Sequence, residues 1–153
     1  MERAKSNPNR GYYFDFIEFA KNDAVNNTPT TPAISLLFGL QFILGNIAKE
    51  GFAARKARHL KTNTMIREWG AKHGFKLFSP IDRSSFALTC FATPETLDLS
   101  AFIKTLKTKY NFLINGGYGK VKGTTFRISN MGDETPATMT TLLNALDNAM
   151  KQL

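Results

Sequence analysis

The segment Thr124–Asp133, TTFRISNMGD, limits the possible folds more than any other stretch of the chain. One arginine, Arg127, stands between two large apolar residues, Phe126 and Ile128. Side chains of a β-strand alternate between its two faces. If Phe126 and Ile128 turn toward a core, Arg127 turns away from it. A guanidinium fixed on a rigid strand suits bidentate recognition of a carboxylate. It also suits a solvated place on an ordinary strand, and the alternation alone does not separate the two. Just upstream lies Asn115-Gly-Gly-Tyr-Gly119. Its glycines, Gly116, Gly117 and Gly119, would let a small ligand approach the backbone closely, or would simply form a hairpin turn.

The chain has 153 residues, 42% of them hydrophobic, which is enough for one domain with a real core. Thirteen phenylalanines supply core material. The one cysteine, Cys90, forms no disulfide framework and fits a reducing, cytoplasmic setting. The only histidines, His59 and His73, are distant from it in sequence, so buried packing is expected for Cys90 rather than nucleophilic work. The first ten residues, MERAKSNPNR, are polar and have no apolar core of a signal peptide. The longest apolar stretch, Ala33–Leu44, is too short for a bilayer and reads as a buried helix, so no membrane role is expected.

The net charge of +8 gathers around Arg55, Lys56, Arg58, His59 and Lys61. Such a cluster binds phosphate backbones or forms the solvated face of a helix. No paired Cys/His spacing and no aromatic-basic stacking signature accompanies it, which disfavours both nucleic acid and a metal.

Periodicity predicts an amphipathic segment over Tyr12–Lys21, then a loop rich in Asn, Thr and Pro. Thr31-Pro32 reads as a cap followed by a favoured first helical residue. The helix it opens, Pro32–Glu50, is apolar on nearly every side and should be buried nearly all round. Gly51 breaks it. A second helix runs over about Phe52–His73, basic on one side, with Leu60, Met65, Ile66 and Trp69 on the other, and stops at Gly74. Strands are expected over Phe75–Phe78, Ser85–Phe91, Asn111–Ile114 and Thr124–Ile128, with the glycine loop joining the last two. A helix carries Leu99, Phe102, Ile103 and Leu106, and a last one starts at Thr135-Pro136. The order is helices, then β-β-α-β-β-α. That is an α+β fold: a small, antiparallel-rich sheet with helices on one face, preceded by a helical arm. Residues 1–31 read as the arm and residues 32–153 as the domain.

Three segments together resemble one family. Asn26–Leu40, NNTPTTPAISLLFGL, resembles the N-T-P-x-T-x-A-I segment of class V pyridoxal-phosphate aminotransferases. Ile114–Thr135 resembles their glycine-rich loop, substrate-arginine strand and following turn. Tyr12–Phe19, YYFDFIEF, resembles the Tyr-Leu-Asp segment before the N-T-P motif. The order and spacing cover nearly the whole chain, and the motifs resemble those of serine/alanine–glyoxylate and phosphoserine aminotransferases.

The resemblance implies the small C-terminal domain of a fold-type-I pyridoxal-phosphate enzyme of the aspartate-aminotransferase type. It implies a homodimer that transfers an amino group between an amino acid and a 2-oxo acid. It assigns the cofactor phosphate to Asn27 and Thr28, with Thr30 as a second choice, reaching across the dimer interface. It assigns the substrate α-carboxylate to Arg127 and the wall of the substrate pocket to Gly116, Gly117 and Gly119. The family's Schiff-base lysine lies well upstream of the N-T-P motif, a position that falls before residue 1. Lys5 is too close to Asn27 to replace it. The chain is therefore expected to be inactive alone. Cysteine desulfurases share the fold class, but they need a reactive cysteine on a flexible loop, and Cys90 lies in an apolar alternating run. The rival reading is a non-catalytic module that binds nucleic acid or protein through the basic helix 52–73.

Overall fold

A computed structural model describes every residue from Met1 to Leu153. The chain forms two compact units, Met1–Lys49 and Glu50–Leu153.

The first unit contains α1 (Glu2–Lys5), α2 (Phe16–Asp23) and most of α3 (Ile34–Glu50). Asp15 starts α2 by accepting the Ile17 N–H at 2.9 Å. Arg10 Nε lies 3.0 Å from both Asp15 carboxylate oxygens. Burial works to raise the Asp15 pKa, but the Arg10 hydrogen bond and the Ile17 N–H outweigh it and hold the carboxyl below its ordinary value. This cap leaves Tyr12 and Tyr13 outside the helix, which is shorter at its start than the expected Tyr12–Lys21 segment.

The expected Thr31 cap is not formed. Ile34 N–H donates to the Pro32 carbonyl at 2.9 Å, a tight three-residue turn that keeps Pro32 out of the helix. Leu37 N–H donates to the Ala33 carbonyl at 3.0 Å, so Ala33 takes the cap position and α3 begins at Ile34. Nor is α3 buried nearly all round. None of its residues is buried, and Leu36 and Phe42 are 73% and 69% exposed. A helix apolar on all sides needs cover on all sides. This chain does not supply it.

The second unit follows the expected order. Helix α4 (Phe52–Lys72) precedes β1 (Lys76–Leu77), β2 (Leu88–Ala92), α5 (Leu99–Tyr110), β3 (Asn115–Gly116), β4 (Thr125–Ser129) and α6 (Pro136–Met150). The strands pair antiparallel throughout in the order β1-β2-β4-β3. Thr135 caps α6 in a reciprocal box with Thr138, and Pro136 follows as the first helical residue, as the sequence predicts.

Register decides which side chains meet the core. Phe91 sits opposite both Leu77 and Phe126, while Cys90 and Asn115 both sit opposite Arg127. The inward residues of β2 are Thr89 and Phe91. Because the period is two, Cys90 then falls on the other face, half-buried rather than in the core. Phe86 lies outside the strand altogether and is exposed. The expected strand over Asn111–Ile114 is displaced. Asn111 takes a left-handed conformation, φ +56°, to end α5, and pairing with β4 begins only at Asn115.

The core joins Phe75, Phe91 and Phe126 to Ile66 and Trp69 of α4, Phe102 and Leu106 of α5, and Met139 and Leu146 of α6. The Phe126 ring lies 5.0 Å from that of Phe75 and 5.4 Å from that of Phe91. Gly70 makes this possible. A Cβ there would stand 2.2 Å from the Phe91 ring. The buried line of α4 is His59, Thr62, Asn63, Ile66, Trp69 and Gly70. Half of that line is polar, so apolar spacing misplaces the face: Leu60, expected on the inner side, is exposed.

Candidate functional site

Helices cover only one face of the sheet, and β4 presents Arg127 on the other. Phe126 and Ile128 are fully buried, whereas Arg127 between them is half-buried. The alternation therefore falls as the sequence predicts. The Arg127 guanidinium makes no hydrogen bond or ion pair within the chain, and its Nε is buried without a partner. A buried donor left unpaired costs about 1–3 kcal/mol, more when charged, and the chain provides no acceptor for this one. Its one close neighbour of note is the Tyr118 ring, whose centroid lies 4.6 Å from Cζ. Tyr118 carries little sign of this contact in the sequence. The aromatic amid three glycines was the only available signal.

The glycine loop is not a tight hairpin turn. It runs from β3 through a single 3-10 turn, Gly119–Val121, to β4. Gly117 N–H donates to the Thr125 carbonyl at 2.9 Å. A Cβ on Gly117 would stand 2.2 Å from both Thr125 Oγ1 and the Val121 carbonyl, so only glycine fits. Gly119 holds φ +54°. Gly116 has ordinary room around it. Gly116, Gly117 and Gly119 line a depression with Leu99, Ser100 and Ile103 of α5. Arg127 does not line that depression, and Tyr118 is the residue that belongs to both places.

The turn after β4 is tied to α4 by a polar network that local sequence pattern does not signal. Asn130 is fully buried, and its Nδ2 donates to the His59 carbonyl, Thr62 Oγ1 and the Phe86 carbonyl, each at 3.0 Å. The Asn130 carbonyl accepts from His59 Nδ1 at 2.9 Å, which fixes the proton on that nitrogen. Asn63 Nδ2 donates to Thr89 Oγ1 at 2.9 Å and ties α4 to β2.

The basic cluster is engaged in the same turn. Arg58 donates to Glu50 through Nε and Nη2 at 2.6 and 2.9 Å, and through Nη1 to the Glu134 carbonyl at 2.6 Å and the Gly132 carbonyl at 3.2 Å. Arg55 reaches Glu50 at 2.9 Å, Asp133 at 3.2 Å and the Gly132 carbonyl at 3.1 Å. Hydrogen bonding from Arg58 pulls the Glu50 pKa down to about 2; burial opposes the shift and Arg55 adds to it. Of the five cluster residues only Lys56 and Lys61 are exposed. The reading of helix 52–73 as a partner-binding basic face is thereby corrected. Arg55 and Arg58 of the cluster are engaged by this chain's own acceptors, so they form neither a solvated face nor a phosphate track.

In the first unit, Asn27 and Thr28 are exposed and Thr30 is half-buried. Asn27 Oδ1 accepts the Thr28 N–H at 2.8 Å, and Asn27 N–H donates to the Asn22 carbonyl at 2.9 Å. The Asn27 amide NH2 and the Thr28 and Thr30 hydroxyls have no partner in the chain. Lys5 lies in α1 and pairs with Glu2 at 3.4 Å. No helix is long and apolar enough to cross a membrane.

No family model matches the chain. It is similar to an uncharacterized aminotransferase of Methanocaldococcus jannaschii, 29% identical over 150 residues, which cover 97% of this chain and 39% of that relative. It is 32% identical over 125 residues to the serine–glyoxylate aminotransferase of Methylorubrum extorquens, covering 79% of this chain and 30% of the relative. The pyridoxamine–pyruvate aminotransferase structure from Mesorhizobium loti superposes with a TM-score of 0.86 at 27% identity, over 97% of this chain and 39% of that one. The chain thus spans well under half the length of these relatives, and the stretch it matches is their C-terminal part.

Proposed function

Because this chain corresponds to the C-terminal part of a class V pyridoxal-phosphate-dependent aminotransferase, we propose that its role is to bind and orient the substrate in amino-group transfer between an amino acid and a 2-oxo acid. The observation that carries this reading is Arg127: a guanidinium on the open face of β4, unpaired in its own chain and backed by a rigid core.

Arg127 grips the α-carboxylate with two parallel N–H donors and so fixes the orientation of the amino group. Its position on a strand makes that orientation reproducible, since Phe126 and Ile128 on either side are locked in the core. Gly116, Gly117 and Gly119 let the loop beside it run close to a ligand without side chains in the way. Asn27, Thr28 and Thr30 suit the phosphate end of the cofactor. Their free amide and hydroxyl donors match phosphate oxygens. The cofactor supplies an electron sink for the chemical step. The arm, residues 1–31, carries this loop to the cofactor of a second subunit, and residues 32–153 act as the small domain. The working enzyme is then a cytoplasmic homodimer, and the 153-residue chain by itself turns nothing over.

The test uses the chain as it stands. Mixed with pyridoxal phosphate and reduced with borohydride, it should show scattered labelling of surface lysines and no transamination. A 2-oxo acid such as pyruvate should perturb the Arg127 Nε–H signal in a nitrogen-15 spectrum. Stoichiometric labelling of one lysine with turnover overturns the inactive-alone reading. An Arg127 signal indifferent to 2-oxo acid overturns the carboxylate assignment.

A further inference from the structure

We propose that Tyr118 is a positioning residue: its ring, stacked on Arg127, sets the guanidinium in the plane from which it receives a carboxylate. The inference rests on the reading of Arg127 as the carboxylate site.

Tyr118 is 72% exposed, so its ring is not serving the core. It lies against Arg127, with 4.6 Å between ring centroid and Cζ. Arg127 has no acid or carbonyl to hold its long side chain in place, and an arginine so placed retains much rotamer freedom. The ring removes that freedom by covering one face of the guanidinium. With one face covered, an anion must approach along the edge, the direction in which two N–H donors point in parallel.

The backbone shows that Tyr118 is held in this position. It stands between Gly117, where a Cβ would collide with Thr125 Oγ1 and the Val121 carbonyl, and Gly119, at φ +54°. The Gly117 N–H is fixed to the Thr125 carbonyl, two residues from Arg127 on the same strand. Ring and guanidinium are thus anchored to one strand. A loop without these glycines would carry its aromatic residue elsewhere.

The ring does the work and the hydroxyl does not, because cation–π attraction depends on the aromatic face. The experiment titrates pyruvate into the nitrogen-15-labelled chain for wild type, Tyr118→Phe, Tyr118→Leu and Arg127→Ala, following the Arg127 Nε–H signal where the arginine is present and the backbone amide signals of residue 118 and Gly119 in all four. Wild type and Tyr118→Phe should share a ring-shifted signal and the same affinity. Tyr118→Leu should lose the ring shift and bind pyruvate about two- to fivefold more weakly, the range an exposed cation–π contact supports. Its thermal midpoint should stay at the wild-type value, since Tyr118 is outside the core. Wild-type affinity in Tyr118→Leu overturns the proposal, as does a Tyr118→Phe variant that falls as far as Tyr118→Leu. If Arg127→Ala loses binding while Tyr118→Leu keeps it, only this inference fails. If wild type shows no saturable response, or Arg127→Ala responds like wild type, the underlying assignment of Arg127 fails.

Discussion

Arg58 and Arg127 carry the same group in opposite circumstances. Arg58 sits in the densest run of positive charge in the sequence, and each of its three guanidinium nitrogens donates to Glu50 or to the carbonyls of Gly132 and Glu134. Arg127 sits alone between two apolar residues, and its Nε is buried with no partner. Charge density singles out arginines that the chain itself engages. The two guanidiniums differ in whether the chain has already supplied their acceptors. The Arg58 site is closed and holds the fold together; the Arg127 site is open.

The contrast breaks most readily at the closed end. Asn130→Ala removes the donor shared by His59, Thr62 and Phe86 in a fully buried place, and denaturant unfolding should show a loss of about 3 kcal/mol. A loss near zero would mean that the turn after β4 does not depend on α4. Arg58→Ala should cost about 2 kcal/mol, because it strips two carbonyls and a carboxylate of a charged donor. Arg58→Lys should recover only part, since an ammonium cannot make the planar two-pronged contact with Glu50.

Acid sharpens the same comparison. The folded-state pKa of Glu50 is depressed from 4.5 to about 2. Its contribution is therefore complete above pH 4.5 and is lost as pH falls toward 2. Thermal midpoints of wild type and Glu50→Gln should converge across that window. Asp15 and Asp147 are also depressed and titrate in both proteins, so the difference between the two curves isolates Glu50. A constant gap down to low pH would show that Arg55 and Arg58 are held by the carbonyls alone.

The smallest stability change belongs to the open site. Arg127→Ala removes a donor that is buried without a partner, so it should destabilise the fold by no more than about 0.5 kcal/mol and relieve a desolvation cost. A larger loss would make Arg127 part of the scaffold.

The strand alternation around Arg127, the Thr135 cap of α6, the Gly74 stop and the α+β order were legible because each depends on neighbours in sequence. Cys90 was misplaced because the face of a strand is set by its partner, and the pairing of Phe91 with Phe126 is long-range. The inner line of α4 was misread because His59, Thr62 and Asn63 are buried on hydrogen bonds to residues far along the chain. Apolar periodicity does not report such contacts. The exposure of α3 was invisible for a different reason: an apolar sequence says that a surface wants cover, not whether this chain supplies it. Tyr118 was passed over because nothing in the sequence places it on Arg127.

The central claim is that Arg127 serves a ligand and Arg58 serves the fold. One paired measurement tests it: pyruvate affinity and unfolding free energy, measured together for Arg127→Ala and Arg58→Ala. Arg127→Ala should abolish the saturable pyruvate response at nearly unchanged stability. Arg58→Ala, in conditions where it remains folded, should bind pyruvate like wild type at reduced stability. An Arg127→Ala chain that still binds pyruvate, or that loses stability as Arg58→Ala does, would contradict the claim.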